Sequence, residues 1–263
     1  VNAREYLRPA PGLLDELYHS NSKHSPVRVS FATTVQMIDR DRVLHAMYKE
    51  TKGRYKTYGS QGAVALPREL LPLSAALDGV LLTRRSQRTF RDEPLTAAEV
   101  ATLLARAYGS CGARQGMIAR TVPSGGGLYP LDLYVMQFAG GPVAEGVYHY
   151  HVGAHALQPV VARCQRHEIA TASIYPEIVR GAAMLLAVVA DMKRVRVKYG
   201  DRAYRLALLE AGHVSQNLYL IATALGLGIV ALDGFYDDRL HTLLDLDGVT
   251  EIAVLVFAIG RLP

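Results

Sequence analysis

An α+β sandwich, a sheet flanked by helices, is the architecture this 263-residue chain encodes. Short apolar segments of strand composition recur at 131–138, 146–151, 157–160, 183–190 and 252–258, each of ordinary strand length. Between them lie two segments with helix signals, at 96–108 and 206–225. Neither an internal repeat nor a low-complexity linker interrupts the alternation. A composition of 50% hydrophobic and 20% charged residues is that of a globular protein able to bury a sizeable core.

Taken in order, residues 1–75 are punctuated by Pro9, Pro11, Pro26, Pro67 and Pro72 and read as irregular, an N-terminal arm that wraps the body or a partner. Residues 76–263 form the body. Thr96 and Glu99 make a capping box, with Leu95 and Val100 as its hydrophobic staple, so a helix runs from there to about Tyr108. Residues 131–138 alternate in part and are rich in strand formers. The segments 146–151 and 157–160 make a hairpin across Gly153 and Ala154. The run 183–190 is continuously apolar, as a central strand buried on both faces is, and 252–258 is another.

Residues 206–225 are apolar on nearly every face and would reach about 30 Å as a helix, enough to span a bilayer. Glu210, His213, Gln216 and Asn217 lie inside that stretch, and burying them in hydrocarbon costs several kcal/mol. The stretch therefore reads as a helix of a core or subunit interface, with His213 as a hydrogen-bonded core residue and Gly226 and Gly228 as its stop. The net charge of +5 comes with no basic block interleaved with aromatics, which argues against nucleic acid. Cys111 and Cys164 fit neither a disulfide framework nor zinc spacing and read as free thiols. His149 and His151 share a strand face but lack a third ligand, so no metal is expected. The absence of an apolar signal core at the N-terminus points to a cytoplasmic protein, and the chain reads equally as a stand-alone protein or an excised domain.

Two runs carry the chemistry. Arg84-Arg85-Ser86-Gln87-Arg88 puts three guanidinium groups and a hydroxyl within five residues, multidentate donor chemistry suited to a phosphate or carboxylate. Pro123-Ser124-Gly125-Gly126-Gly127-Leu128-Tyr129-Pro130 supplies backbone that a flat ligand can approach without a Cβ in the way. A phosphate clamp and a backbone platform together suggest flavin mononucleotide (FMN).

Those runs, with others in the same order, resemble the nitroreductase superfamily and, within it, the SagB-type azoline dehydrogenases. The other pieces are Tyr18-His19 with Ser22-Lys23, Tyr55-Lys56-Thr57-Tyr58 before Leu66-Pro67, and Lys198-Tyr199-Gly200 with Arg202 and Tyr204. Glu210-Ala211-Gly212-His213 with Gln216-Asn217, Leu225-Gly226-Leu227-Gly228, Asp233-Gly234-Phe235 and Ala258-Ile259-Gly260-Arg261 complete them. The resemblance implies an FMN-binding domain over 76–263 with a central, mostly antiparallel sheet flanked by helices, and an intertwined homodimer with flavin between subunits. It implies oxidation of a thiazoline or oxazoline ring in a peptide natural-product precursor to the thiazole or oxazole, the electrons passing on to oxygen. A carrier protein or cyclodehydratase is the expected presenter of the substrate.

On that resemblance Arg84, Arg85, Ser86, Arg88 and Arg261 hold the phosphate and ribityl oxygens. Pro123, Ser124, Gly125 and Gly126 of the other subunit line the ring. Asp233-Gly234 lies against it, a backbone N–H stabilising the reduced form. Ring oxidation also requires a base for the second hydrogen. Lys198 and Tyr199 are the candidates, and both ordinarily titrate near pH 10, so burial or nearby cations such as Arg194, Arg196 and Arg202 would have to lower one of them. Two rivals stand beside this reading, an NAD(P)H-dependent nitro or quinone reductase and a flavin-fold scaffold subunit of a synthetase complex. Thiazoline versus oxazoline, and ribosomal versus nonribosomal peptide, are not distinguished by these residues.

Overall fold

The computed structural model of the chain describes residues 14–22, 40–43, 46 and 55–263, apart from 115–116 and 164. Most of the predicted arm, including Lys23, and also Cys164 lie outside the described residues. In chain order the first elements are α1 (Leu14–Asn21), β1 (Val64–Ala65), α2 (Leu77–Thr83), α3 (Ala97–Tyr108), β2 (Ser110–Arg114), β3 (Met117–Arg120) and β4 (Leu131–Gln137). There follow β5 (Gly146–His151), β6 (Ala156–Val161), α4 (Arg166–Thr171), α5 (Pro176–Gly181), β7 (Met184–Asp191) and α6 (Met192–Tyr199). The last are α7 (Ala203–Ala224), β8 (Leu227–Leu232), α8 (Asp237–Leu243) and β9 (Glu251–Arg261).

Seven strands make one sheet in the order β1-β6-β5-β4-β7-β9-β8, antiparallel at every pairing. The fold is α+β with helices on both faces, as the sequence predicts. Because side chains alternate across a strand, β4 sends Leu131, Leu133 and Val135 into a core built with α3 and α7. Tyr134 and Met136 enter a second core with α4, α5 and α8. Strand β7 is buried on both faces, which accounts for its unbroken apolar run. β2 and β3 form a separate hairpin beside α3.

The predicted cap of α3 is present. Glu99 N–H donates to Thr96 Oγ1 (3.2 Å) and Thr96 N–H donates to Glu99 Oε2 (2.7 Å). Within the stretch expected to be irregular, α1 is helical and β1 extends the sheet by pairing with β6. Two expectations for α7 need correction. His213 is exposed, since the buried face of the helix runs through Ala207, Glu210, Ala211, Val214 and Leu218. Of the two glycines only Gly226, at φ +69, ends the helix, whereas Gly228 belongs to β8, where a Cβ would lie 2.9 Å from Gln87 Cγ. No helix among the described residues is long and apolar enough to cross a membrane.

Candidate functional site

The residues singled out in the sequence gather at the two ends of α7. At its C-terminal end, residues 84–91 run beside the sheet edge, Gln87 N–H donating to the Ile229 carbonyl (2.9 Å) and Arg91 N–H to that of Arg261 (3.1 Å). Tyr219 of α7 anchors this run. Its hydroxyl accepts from Ala231 N–H (2.9 Å), lies 3.2 Å from Ser86 Oγ, and its ring carries the Arg84 guanidinium at 5.2 Å. Arg88 is exposed, and neither it nor Arg84 has an ion pair among the described residues. Arg85 turns back instead, donating to the carbonyls of Leu82 (2.9 Å) and Arg84 (2.8 Å) at the C-terminus of α2.

Arg261 also has another partner than the one expected. Its guanidinium grips the Glu99 carboxylate with two bonds (2.5 and 2.9 Å) and donates to the Pro94 carbonyl, tying the end of β9 to the capping box. Asp233 is exposed, two residues beyond the Ala231 amide that Tyr219 holds. The close approach that Gly234 permits is made by this chain's own Ile174, whose Cγ1 and Cδ1 lie 2.2 Å from where a Cβ would stand. Ile174 N–H and Ser173 Oγ both donate to the Gly234 carbonyl (2.9 and 3.3 Å).

At the N-terminal end of α7, Gly125–Gly127 form a 3-10 turn with Gly126 and Gly127 at φ +66 and +65. A side chain on Gly126 would stand 2.9 Å from the Tyr199 hydroxyl and 3.0 Å from Lys198 Nζ. The absent Cβ is thus what lets the lysine–tyrosine pair, carried on the last turn of α6, close onto backbone. Pro123 leads into the turn, and Ser124 Oγ accepts from Tyr129 N–H (2.8 Å).

Sequence reasoning missed what lies beneath that turn. Glu210, 3% exposed, accepts from the Tyr108 hydroxyl (2.7 Å) and from the Ser124 hydroxyl. Burial pushes its carboxyl up to about 7, with the two hydroxyl donors and the charges of Arg120 and Arg194 opposing. A lone carboxylate on an otherwise apolar helix was the available signal. Two of the three cations expected to act on Lys198 and Tyr199 are engaged elsewhere, and Arg196 is exposed. Arg194 is buried in ion pairs with Asp132 (2.6 Å) and Asp191 (3.0 Å), and Arg202 donates to the Ser22 carbonyl (3.0 Å). His149 lies 3.3 Å from the same Asp132, and no cluster able to hold a metal occurs among the described residues.

Gly125 packs against Leu206 and Arg84 against Tyr219. Those positions are about 20 Å apart on α7 at roughly 1.5 Å per residue. Within one chain the arginine half and the glycine–lysine–tyrosine half do not meet.

The antiparallel sheet, the long helix and the glycine turn set on a lysine–tyrosine pair define an α+β scaffold with candidate site residues at both ends of α7. The chain belongs to the nitroreductase family, which it matches over residues 81–261. It is 37% identical to the nitroreductase-like protein MJ1384 of Methanocaldococcus jannaschii over 185 residues, 70% of this chain and 90% of that one. It is 29% identical to the microcin B17-processing protein McbC of Escherichia coli over 177 residues, 63% of this chain and 62% of McbC. In fold it is similar to a chain of the Escherichia coli microcin synthetase McbBCD complex with truncated pro-MccB17 bound. That likeness has a TM-score of 0.61 and 20% identity and covers 95% of this chain and 92% of that one.

Proposed function

We propose that the protein is an FMN-dependent dehydrogenase that converts thiazoline or oxazoline rings of a peptide precursor to thiazole or oxazole. The observation that carries this reading is the convergence of Lys198 Nζ and the Tyr199 hydroxyl on the bare backbone of Gly126. A planar ring laid on that backbone has a proton-accepting pair at its edge. The resemblance to McbC, a microcin B17-processing protein, supports a peptide substrate.

The residues present fit an FMN. Arg84, Arg88 and Ser86 offer phosphate donors free of described carboxylates, and Gly126 keeps the backbone beside Lys198 and Tyr199 clear of a side chain. When bound, FMN supplies the acceptor for the two electrons that leave the ring carbon as hydride. Lys198 and Tyr199 take up the accompanying proton from the neighbouring carbon. Ser124, held between Glu210 and Tyr129, fixes the turn on which the ring rests.

A complete site requires a second copy of the chain. On the outer side of α7 Leu208 is 42% and Leu209 58% exposed, and on α2, which packs beside it, Leu82 is 68% exposed. Exposed leucines on two neighbouring helices are what an isologous dimer covers. An antiparallel pairing of two α7 helices brings the glycine turn of one chain to the arginine run of the other.

Flavin-loaded protein incubated with a small panel of thiazoline and oxazoline peptides should give products lacking two hydrogens, detected by mass spectrometry. Lys198→Ala and Tyr199→Phe should abolish that loss while flavin binding persists. Unchanged product formation in the double variant would move catalysis elsewhere. The competing reading, an NAD(P)H-dependent reductase of nitro compounds or quinones, is favoured by the higher identity to MJ1384. Rapid bleaching of the flavin by NADH or NADPH without oxygen would establish it in place of the dehydrogenase.

A further inference from the structure

One buried acid takes no part in the proton transfer proposed above. Glu210 lies on α7 beneath the glycine turn, and its hydrogen-bond partners among the described residues are the hydroxyls of Tyr108 and Ser124. Each hydroxyl also accepts from a backbone amide, Tyr108 from Leu131 N–H (3.2 Å) and Ser124 from Tyr129 N–H (2.8 Å). A hydroxyl has a single proton, so both protons go to the carboxylate. The other charged groups that face Glu210 are Arg120 of β3 and Arg194 of α6. Asp132 of β4 is held by Arg194 at 2.6 Å.

A proton on Glu210 changes that pattern, because the acid then has a bond to donate as well as to accept. One oxygen keeps the Tyr108 hydroxyl, and the proton on the other needs an acceptor. Its neighbours are the same two hydroxyl oxygens. Donation to Tyr108 would turn the phenol proton loose in a fully buried site, where an unmatched donor is costly. Ser124 is half-buried on the turn, so its proton can swing outward. The neutral acid therefore donates to Ser124 Oγ, which still accepts from Tyr129 N–H, and the serine proton leaves the interior. Burial pushes the Glu210 carboxyl up to about 7, so both forms are populated near neutral pH.

We propose that Glu210 is a positioning residue that sets the direction of the Ser124 hydroxyl. With its proton on, the turn presents an outward donor to a ligand laid against it, and with its proton off, the turn presents none. The ligand is the FMN of the reaction proposed above, and the assignment rests on that reading. Because the flavin then favours the neutral acid, its affinity is full at acid pH and falls as pH rises above about 7.

Fluorescence titration of the flavin-stripped chain with FMN, across roughly pH 5.5 to 8.5, tests the assignment. Wild type should lose about tenfold in affinity over that range, the worth of one hydrogen bond. Glu210→Gln donates to Ser124 and accepts from Tyr108 at every pH, so it should hold the acid-side affinity throughout. Ser124→Ala should sit at the weaker, alkaline-side affinity throughout. The ionisation of the FMN phosphate is common to all three proteins and cancels in the comparison. Parallel profiles for wild type and Glu210→Gln, or the wild-type step retained in Ser124→Ala, would overturn the proposal. Should Glu210→Gln not fold, Ser124→Ala decides alone. Infrared difference spectroscopy without flavin follows the protonated carboxyl of Glu210 directly. Ser124→Ala should raise its titration point, since the ionised form loses a donor, and an unchanged point would overturn the coupling. No FMN binding by any of the proteins, with that shift present, would overturn the flavin reading and the ligand assigned here while leaving the Glu210–Ser124 coupling established.

Discussion

Replacing Glu210 with glutamine should flatten the pH dependence of stability. The carboxyl sits under the glycine turn, and burial raises it from an ordinary 4.5 to about 7. That difference corresponds to about 3 kcal/mol of preference for the neutral form. The folded chain therefore holds this proton more tightly than the unfolded chain. The stabilisation is fully present below pH 4.5 and is lost as pH rises through about 7. Glutamine keeps an oxygen for the Tyr108 hydroxyl and cannot ionise, while the Ser124 hydroxyl is free to turn and accept from the amide. Urea or thermal unfolding of both proteins at acid and mildly alkaline pH measures the change. The stability difference, wild type minus Glu210→Gln, should fall by about 3 kcal/mol across the window, or roughly 6–12 °C in Tm for a chain of this size. Every other titrating group is common to both proteins and cancels. Parallel pH profiles would refute the assignment of the raised carboxyl to Glu210.

Arg194→Met should destabilise by about 3–5 kcal/mol in urea, because it strands the buried Asp132 carboxylate. Adding Asp132→Asn should recover part of that loss. Gly126→Ala places a side chain at φ +66 against Lys198 and Tyr199. It should cost about 1–2 kcal/mol of stability and reduce azoline turnover by a much larger factor than stability explains. Arg84→Ala should weaken FMN binding about tenfold or more through one lost charge-assisted contact, read by flavin fluorescence titration. Leu209→Glu, which charges the outer face of α7, should shift light-scattering mass from dimer to monomer and release the flavin together with it.

What the sequence disclosed was mostly local. The capping box of α3 needs Thr96 and Glu99 alone, both within one turn, and the limits of the hairpin and of β7 follow from runs of adjacent residues. Partners across the chain were invisible. Arg261 showed a charge at the end of a strand, but the carboxylate it grips lies 162 positions away. Arg85 is a different case: the carbonyls it binds are those of Leu82 and Arg84, close in sequence, and they are available to it only because α2 ends there. His213 and Glu210 are three residues apart on α7, yet one faces out and the other inward. The packing of α3 and the glycine turn on one side of the helix decides that, and periodicity in so uniformly apolar a stretch has no contrast with which to report it. β1, two residues long, pairs through its position beside β6 and has no strand pattern of its own.

The distribution of the site residues over the length of α7 has a genetic consequence under the two-fold arrangement proposed above. An inactive variant damaged in the arginine run and another damaged at the lysine–tyrosine pair should complement each other when unfolded together and reassembled. Every hybrid dimer then carries one doubly broken centre and one wholly intact centre, so about a quarter of all centres regain activity from two dead parents. A site built entirely within each chain recovers nothing in the same mixture.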